Sequence, residues 1–433
     1  MLLVRRARVP TVLLPPGMAV TPVDPLEPAV LCDLTLAGDR LVAVQAASAA
    51  PAPAGDREFD AAGSLVFPGF VDAHVHLDKT HTWHRAPNRT GTFRDALATL
   101  GADRVHWSEA DLQRRAGFAL RTAWAHGTRA IRTHVDSDFP TAEISHTVMA
   151  ALRAEWRGRI ELQTVPVCGG DIYGTPAGEK MADLALRHGA SALGGFFQMS
   201  AELPAQLARL LALARERGVG LDLHVDETGD PQSECLRLLA EAVLRAGFPH
   251  PVVCGHGCSL ARQEPGRVRS TIALLREARI GVISLPLCNL YLQDRRAPGA
   301  FPRSPSWRGL APLHDLLDAG VPVACASDNV RDAFFAYGDY DPVEILTASI
   351  RLAHLDARLA HSVRVVTSTA ADLIGRPDLG RIAVGAPAQL VVFATQRFSE
   401  LLSRPAAPRH CIDGESVLSP VAPDFAELAD RVP

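Results

Sequence analysis

Two histidines, His74 and His76, lie one residue apart in the stretch PGFVDAHVHLDKTHTW, directly behind an apolar run. Alternate residues of a β-strand point to the same face, so both imidazoles would lie side by side on a rigid support. Imidazoles arranged in this way are pre-positioned to bind a transition-metal ion. An isolated histidine pair also fits a merely hydrated surface, so the interpretation depends on what else the fold brings to the same place.

Further metal-binding residue types occur at the ends of three later apolar segments. The segment LDLHVDE carries His224 and Glu227, VVCGHG carries His256, and VACASDN carries Asp328. Three imidazoles and a carboxylate suit Zn²⁺, Fe²⁺ or Mn²⁺. Such an ion lowers the pKa of a bound water from 15.7 to about 7, which supplies a nucleophile at neutral pH. Glu227 follows His224 closely and is placed to move the proton of that water.

These residues can act together only if the fold brings them close in space. After residue 69, eight short apolar segments alternate with amphipathic helical patterns. The segments are 70–76, 129–136, 160–168, 191–197, 220–226, 251–256, 280–288 and 321–328. The alternation predicts an α/β fold, a (β/α)8 TIM barrel with its active site at the carboxyl ends of the strands. A doubly wound open sheet is the alternative, but the glycine-rich turn typical of its first strand is not found here.

The two ends of the chain have a different character from the middle. Both read as short strands and turns, for example DLTLAGDRLVAVQ near the start and GRIAVGAPAQLVVFATQ near the end. We therefore predict that residues 1–68 and 382–433 form one composite small β domain, beside a catalytic barrel of residues 69–381.

Composition narrows the class of protein. The chain has 433 residues, 47% hydrophobic and 21% charged, which is ordinary for a soluble globular protein. A net charge of −4 gives no indication of nucleic-acid binding. No apolar stretch approaches the ~20 residues that cross a bilayer, and arginines follow the apolar start, so we expect a cytoplasmic protein without membrane contact. The arginine-rich, lysine-poor composition indicates a bacterial source.

The order of the motifs resembles the amidohydrolase superfamily, and the segments HLDKT, RTHVD, HVDE and SDN resemble its cytosine deaminase group. The resemblance spans almost the whole chain. It implies that one divalent ion, Zn²⁺, Fe²⁺ or Mn²⁺, is bound by His74, His76, His224 and Asp328. It also implies that Glu227 is a proton shuttle and that His256 orients the nucleophilic water. The fourth segment, SALGGFFQMS, has no lysine of the kind that bridges two metals in binuclear relatives, which indicates a mononuclear site.

The substrate-facing positions depart from the cytosine deaminase pattern. Asn329 replaces a second aspartate, and Cys168-Gly169-Gly170-Asp171 stands where a glutamine is expected. The glycine pair would leave room for a larger heterocycle than cytosine, such as a pterin, an oxidised purine or a triazine. The candidates for substrate contact are Asn329, Phe334, Lys79, Gln198 and Asp171.

Together these features predict a metal-dependent aminohydrolase that replaces an exocyclic amino group of a nitrogen heterocycle with a carbonyl and releases ammonia. The expected partner is a small heterocyclic amine, and the resemblance implies a homo-oligomer. Two alternatives stay open: hydrolysis of an N-alkylamino-triazine with release of an alkylamine, and an inactive binding homologue.

Overall fold

A computed structural model describes residues 1–15, 17–18, 27–49, 56–296, 299–301 and 303–429. Its strands are β1 (Leu2–Pro10), β2 (Ala29–Ala37), β3 (Arg40–Ala46), β4 (Arg57–Asp60), β5 (Val66–Pro68), β6 (Phe70–Val75), β7 (Thr128–Asp136), β8 (Glu161–Val167), β9 (Ala192–Phe197), β10 (Gly220–Val225), β11 (Val252–His256), β12 (Ile280–Ser284), β13 (Val323–Cys325), β14 (Gln389–Phe393), β15 (Arg409–Asp413) and β16 (Ser416–Leu418). Its helices are α1 (Phe93–Asp103), α2 (Glu109–Ala125), α3 (Ala142–Glu155), α4 (Pro176–Arg187), α5 (Leu203–Glu216), α6 (Cys235–Ala246), α7 (Pro265–Glu277), α8 (Pro286–Leu292), α9 (Leu313–Asp318), α10 (Pro342–Ala353), α11 (Leu359–Ser362), α12 (Ser368–Leu373) and α13 (Phe398–Ser403).

The chain divides into two compact units. The terminal unit contains Met1–Asp72, Arg121–Ala130 and Asp341–Pro423, and the central unit contains Ala73–Leu120, Ile131–Tyr340 and Asp424–Pro433. No helix in the described part of the chain is both long and apolar enough to span a bilayer.

The strands β6 to β13 follow one another in chain order. They form one sheet ordered β6-β7-β8 and a second ordered β9 to β13, whose neighbours are parallel. Isolated parallel bridges join Gly169 to Phe196 and Val75 to Asp328. Helices follow most of the strands, as the alternating sequence pattern predicts. The fold is therefore α/β and TIM-barrel-like.

Burial explains why these strands are continuous apolar runs rather than alternating ones. All nine residues of β7 and all five of β12 are buried, because parallel strands covered by helices lose both faces to the interior. The interior is tight at Gly194 of β9. A β-carbon there would lie 2.5 Å from the carbonyl oxygen of Pro166 and 2.6 Å from that of Asp222. Neighbouring backbone thus leaves room only for glycine.

The seventh apolar segment ends earlier than predicted. The sequence pattern extends it over 280–288, but β12 ends at Ser284 and α8 begins at Pro286. Proline lacks a backbone N–H and has a fixed φ, so it suits the first turn of a helix and not the middle of a buried sheet. The apolar residues that follow it belong to the helix.

The terminal unit contains two further sheets, ordered β3-β2-β1-β4 and β16-β15-β14-β5. Strand β5, from the N-terminal part of the chain, pairs antiparallel with β14 from the C-terminal part. Their core includes Leu2, Val4, Leu34, Leu390 and Ile412.

The tight packing at Gly194 predicts that Gly194→Ala destabilises the protein. Overpacking against fixed backbone typically costs about 1–3 kcal/mol in the free energy of unfolding. Gly101 of α1 is the matched control, because a β-carbon there meets nothing within 4 Å, and Gly101→Ala should stabilise the helix by about 0.5–1 kcal/mol. Urea unfolding of both variants measures the difference, and equal stabilities would contradict the packing described here.

Candidate active site

Three imidazole rings meet at the carboxyl ends of β6 and β10. The Nε2 atom of His224 lies 3.1 Å from that of His74 and 3.2 Å from that of His76. The Asp328 carboxylate completes the group, with Oδ1 lying 3.6 Å from Nε2 of His74 and 3.3 Å from Nε2 of His76. The structure thus brings together four side chains that are far apart in the sequence.

The spacing of these four atoms fits a single divalent ion. Tetrahedral coordination with bonds of about 2.0–2.1 Å to nitrogen and oxygen separates the ligand atoms by about 3.3–3.4 Å. The separations of His74 and His76 from His224 and from Asp328, 3.1–3.6 Å, span that value. Burial holds the pKa of His74, His76 and His224 well below the ordinary value, so the rings are neutral, which is the form that binds metals.

Two further groups border this cluster. Nδ1 of His256, at the end of β11, lies 3.5 Å from Oε1 of Glu227. Burial, with the negative charge of Asp328 as a second cause, raises the pKa of Glu227 well above its ordinary value. A carboxyl group with a raised pKa takes up a proton more readily than an ordinary carboxylate, which suits a group that accepts and returns a proton.

The backbone is strained at the same strand ends. The φ angles are +72° at His256, +61° at Asp328 and +55° at Asp226, a left-handed region that residues other than glycine rarely adopt. Such conformations cost about 1–3 kcal/mol each and persist where the surroundings hold them. Strain of this kind clusters at functional sites, in agreement with the donor group found here.

Asp226 anchors the turn that carries Glu227. Its carboxylate accepts hydrogen bonds from Ser233 Oγ at 2.7 Å and from the backbone N–H groups of Cys235 and Leu236 at 2.9 Å. The side chain is buried, and the two amides belong to the first turn of α6. The carboxylate therefore ties the end of β10 to the start of the next helix and fixes the position of Glu227.

A pocket opens onto the cluster and is lined by residues of two kinds. The aromatic rings are Phe93, Phe196 and Phe334, and the charged side chains beyond the donor group and Glu227 are Lys79, Arg104, Asp136 and Asp138. Phe93 lies 5.5 Å from Phe196 and 5.7 Å from Phe334, measured between ring centroids. The pocket therefore combines flat apolar walls with a charged edge, a combination that suits a planar polar ligand.

Lys79 belongs to the charged edge and is buried. Its Nζ lies 3.0 Å from Asp136 Oδ1 and 5.2 Å from the centroid of the Phe334 ring. Arg104 reaches the other oxygen of the same carboxylate at 3.1 Å. One carboxylate is thus shared by two cations in the pocket wall.

The remaining predicted substrate residues divide into two groups. Asn329 lines the pocket, and its Nδ2 donates to Asp332 Oδ2 at 2.7 Å. Gln198 and Asp171 are exposed and are not among the lining side chains. Of the glycine pair, Gly169 lines the pocket, whereas a β-carbon on Gly170 would lie 2.5 Å from the Phe197 ring.

Sequence reasoning missed the helix-borne part of the site. Phe93 and Arg104 come from α1 and the turn that follows it, and Asn289 comes from α8. None of these residues ends a strand, and the ends of the strands were the positions from which the sequence predicted the site. A search for polar or aromatic residues in the helices directly after the first and seventh strands could have found them.

Comparison with known proteins identifies the family. A family model described as the amidohydrolase family matches residues 119–417. The chain belongs to the amidohydrolase family. Members of this family are metal-dependent, and the predicted activity, hydrolysis of carbon–nitrogen bonds in cyclic amidines, is confirmed.

Three relatives show the range within this amidohydrolase family. The chain is 46% identical to a pterin deaminase of Rhizobium rhizogenes, over 88% of this chain and 86% of the relative. It is 25% identical to N-isopropylammelide isopropyl amidohydrolase of Pseudomonas sp., over 83% of this chain and 86% of that one. The crystal structure of 5-methylcytosine deaminase from Klebsiella pneumoniae superposes with a TM-score of 0.82 at 26% identity, covering 98% and 99% of the two chains.

The anchoring of the Glu227 turn leads to a prediction for Asp226→Ala. The substitution leaves buried donors without an acceptor, which costs about 1–3 kcal/mol in the free energy of unfolding, and it also releases the turn, so turnover should fall. Asp230→Ala is the control, because Asp230 caps an exposed part of the same loop through the N–H of Gln232 at 2.9 Å. Urea unfolding and steady-state kinetics check both effects, and equal behaviour of the two variants would refute the anchoring role.

Proposed function

We propose that this amidohydrolase is a deaminase of a bicyclic aminoheterocycle of the pterin class. Water replaces the exocyclic amino group, a carbonyl remains on the ring and ammonia leaves. The observation that carries the proposal is the four-atom donor cluster with Glu227 at its border, in a chain 46% identical to a pterin deaminase. The flat aromatic walls of the adjoining pocket support it further.

In this proposal, His74, His76, His224 and Asp328 hold one divalent ion. The nitrogen and oxygen donor set admits Zn²⁺, Fe²⁺ or Mn²⁺. When bound, such an ion lowers the pKa of a water to about 7. The chain's own contribution is to keep the three rings neutral through burial and to supply one negative charge through Asp328.

Glu227 performs the proton transfer in the proposed reaction. It takes one proton from the attacking water and delivers it to the amino nitrogen, so that the new carbon–oxygen bond forms and the carbon–nitrogen bond breaks with ammonia as the leaving group. The second proton of the water passes from the new oxygen to the neighbouring ring nitrogen, which leaves the carbonyl. Its raised pKa favours the second transfer, because burial makes the carboxyl hold a proton more readily than an ordinary glutamate does. His256 lies beside it and orients the water, while the buried surroundings strengthen every electrostatic interaction with the developing charge.

The pocket wall recognises the ring. The rings of Phe93 and Phe334 provide apolar surfaces for a planar heterocycle. Lys79, held by Asp136, offers N–H donors for a ring oxygen, and Asn329, held by Asp332, offers its amide to the ring edge. Gln198 and Asp171 have no part in this proposal because they are exposed.

We also propose that β6 to β13 close into a (β/α)8 barrel of residues 69–381. The parallel bridges between Val75 and Asp328 and between Gly169 and Phe196 support closure. We propose in addition that residues 1–68 and 382–433 form one small β domain, which the antiparallel pairing of β5 with β14 supports.

A screen for released amine tests the proposed substrate class. The metal-supplemented protein is incubated with pterin, cytosine, an aminopurine, an aminotriazine and N-isopropylammelide, and the released ammonia or alkylamine is identified. We expect ammonia from pterin at the highest kcat/KM. A higher kcat/KM for cytosine would refute the bicyclic class, and isopropylamine as the main product would favour the alternative hydrolysis. A metal-loaded sample without activity on any of them would favour an inactive binding homologue.

Two substitutions separate proton transfer from metal binding. Glu227→Gln should lower kcat by about 10²- to 10⁴-fold, because general acid–base catalysis contributes that much, while the bound metal is retained. His224→Ala should lose the metal as well, and His106→Ala, at an exposed histidine, is the control that keeps both. Elemental analysis and kinetics measure the two quantities, and a Glu227→Gln variant with wild-type kcat would exclude the proposed shuttle.

A further inference from the structure

Asn289 of α8 connects the two groups that border the donor cluster. The side chain is fully buried, and its Nδ2 lies 3.0 Å from Nδ1 of His256 and 3.4 Å from Oε1 of Glu227. Neither contact was foreseen from the sequence, because Asn289 lies inside the apolar run that continues the seventh segment. One amide group therefore touches both side chains that the proposed reaction uses outside the metal ligands.

The Glu227 carboxylate determines which end of the amide faces this corner. In the ionised form of Glu227, the form that can take up a proton, the carboxylate only accepts hydrogen bonds, and the carbonyl oxygen of an amide also only accepts. With the carbonyl turned toward Glu227, two acceptors would face each other at 3.4 Å in a buried place. With the NH₂ group there, each of its two N–H bonds finds an acceptor, one on Glu227 and the other on His256.

The orientation of the amide in turn determines where His256 carries its proton. A nitrogen that accepts a hydrogen bond from Asn289 cannot itself bear a hydrogen, so in the neutral ring the proton lies on Nε2. Nε2 of His256 is buried and has no hydrogen-bond partner among the described residues. In this tautomer, Nε2–H of His256 is a hydrogen-bond donor without an acceptor in the described part of the chain.

We infer that Asn289 is a positioning residue that holds His256 in the Nε2–H tautomer and so keeps it a hydrogen-bond donor instead of a metal ligand. One ligand atom each of His256, His74 and Asp328 lies within 4.8 Å of the others, so distance alone would allow His256 to bind the same ion. A protonated nitrogen cannot bind a metal. The catalytic meaning of this tautomer rests on the proposed function, but the tautomer itself does not.

The helix that carries Asn289 is docked against the same turn at a second point. Gln293, one helical turn later, donates from Nε2 to the backbone carbonyl of Glu227 at 3.3 Å. Gln293 directly follows the last residue of α8, and its backbone N–H donates to the carbonyl of Asn289 at 2.9 Å, so both amides lie against the Glu227 turn. Gln293 touches only the backbone and serves as a matched control.

Nuclear magnetic resonance of the whole protein, labelled with ¹⁵N in its histidines and loaded with zinc, tests the inference without turnover. A His256→Gln variant identifies the resonances of that ring. We expect Nδ1 in the range of an unprotonated, hydrogen-bond-accepting nitrogen and Nε2 in the range of a protonated one. A protonated Nδ1 in the wild-type protein would overturn the inference, whatever the substrate proves to be.

Asn289→Asp supplies the second measurement. A carboxylate at this position only accepts, so the proton of His256 should move to Nδ1, with unchanged zinc stoichiometry and a roughly 10- to 100-fold loss of kcat/KM on the best amine of the screen. Gln293→Ala should keep the wild-type tautomer. An Asn289→Asp spectrum identical to that of the wild type would overturn the inference, and if this variant does not fold, the wild-type spectrum alone decides.

Discussion

Four electron-pair donors crowd together in a buried part of the molecule, where each imidazole of His74 and His76 lies 3.1–3.6 Å from His224 and from Asp328, and this crowding is the constraint on which the rest of the site depends. Imidazole nitrogens with free electron pairs and a carboxylate oxygen repel one another at such distances unless a proton or a metal ion lies between them. Burial strengthens that repulsion because little water screens it. The surrounding fold must therefore hold the donors in place against this repulsion, and the backbone is strained at Asp328 and at the neighbouring His256.

Around the donor cluster lie further buried charges, each paired with a charge of opposite sign. Below the imidazoles, Asp222 is fully buried; burial raises its pKa to about 6, while Arg132, at 3.0 Å, acts in the opposite direction. In the pocket wall, Lys79 and Arg104 share the Asp136 carboxylate. The backbone N–H of Asp136 donates to the Asp78 carboxylate at 2.6 Å. Removing one member of such a network leaves an uncompensated buried charge, which is more costly than losing the contact itself.

The strand-borne part of this arrangement could be predicted from the sequence because the geometry of parallel strands is simple. Residues that end parallel strands gather at one edge, so the positions of His74, His224 and His256 indicated a common site before any coordinates were known. The order of these motifs also gave the family, which the comparisons confirm.

The helix-borne part could not be predicted in the same way. The side chains that α1 brings to the pocket, and that α8 brings to Glu227 and His256, depend on where each helix begins, and a single proline shifted that point in the seventh segment. The expectation for Gln198 and Asp171 had a similar weakness. Gln198 lies one residue beyond β9 and Asp171 four residues beyond β8, where a side chain can turn outward as easily as inward, and both are exposed. Asp226, which anchors the Glu227 turn, was hidden within the motif itself.

The short step from β12 to α8 has a mechanical consequence. Only Leu285 separates the last residue of the strand from the first residue of the helix, so the chain has almost no slack between the interior and the amide of Asn289. A small displacement of β12, for example after a change of side-chain volume in the core around it, would therefore also displace Asn289 and its contacts with Glu227 and His256. In the proposed reaction, the side-chain volume of the interior would therefore affect the alignment of Glu227 and His256 as well as the stability of the fold.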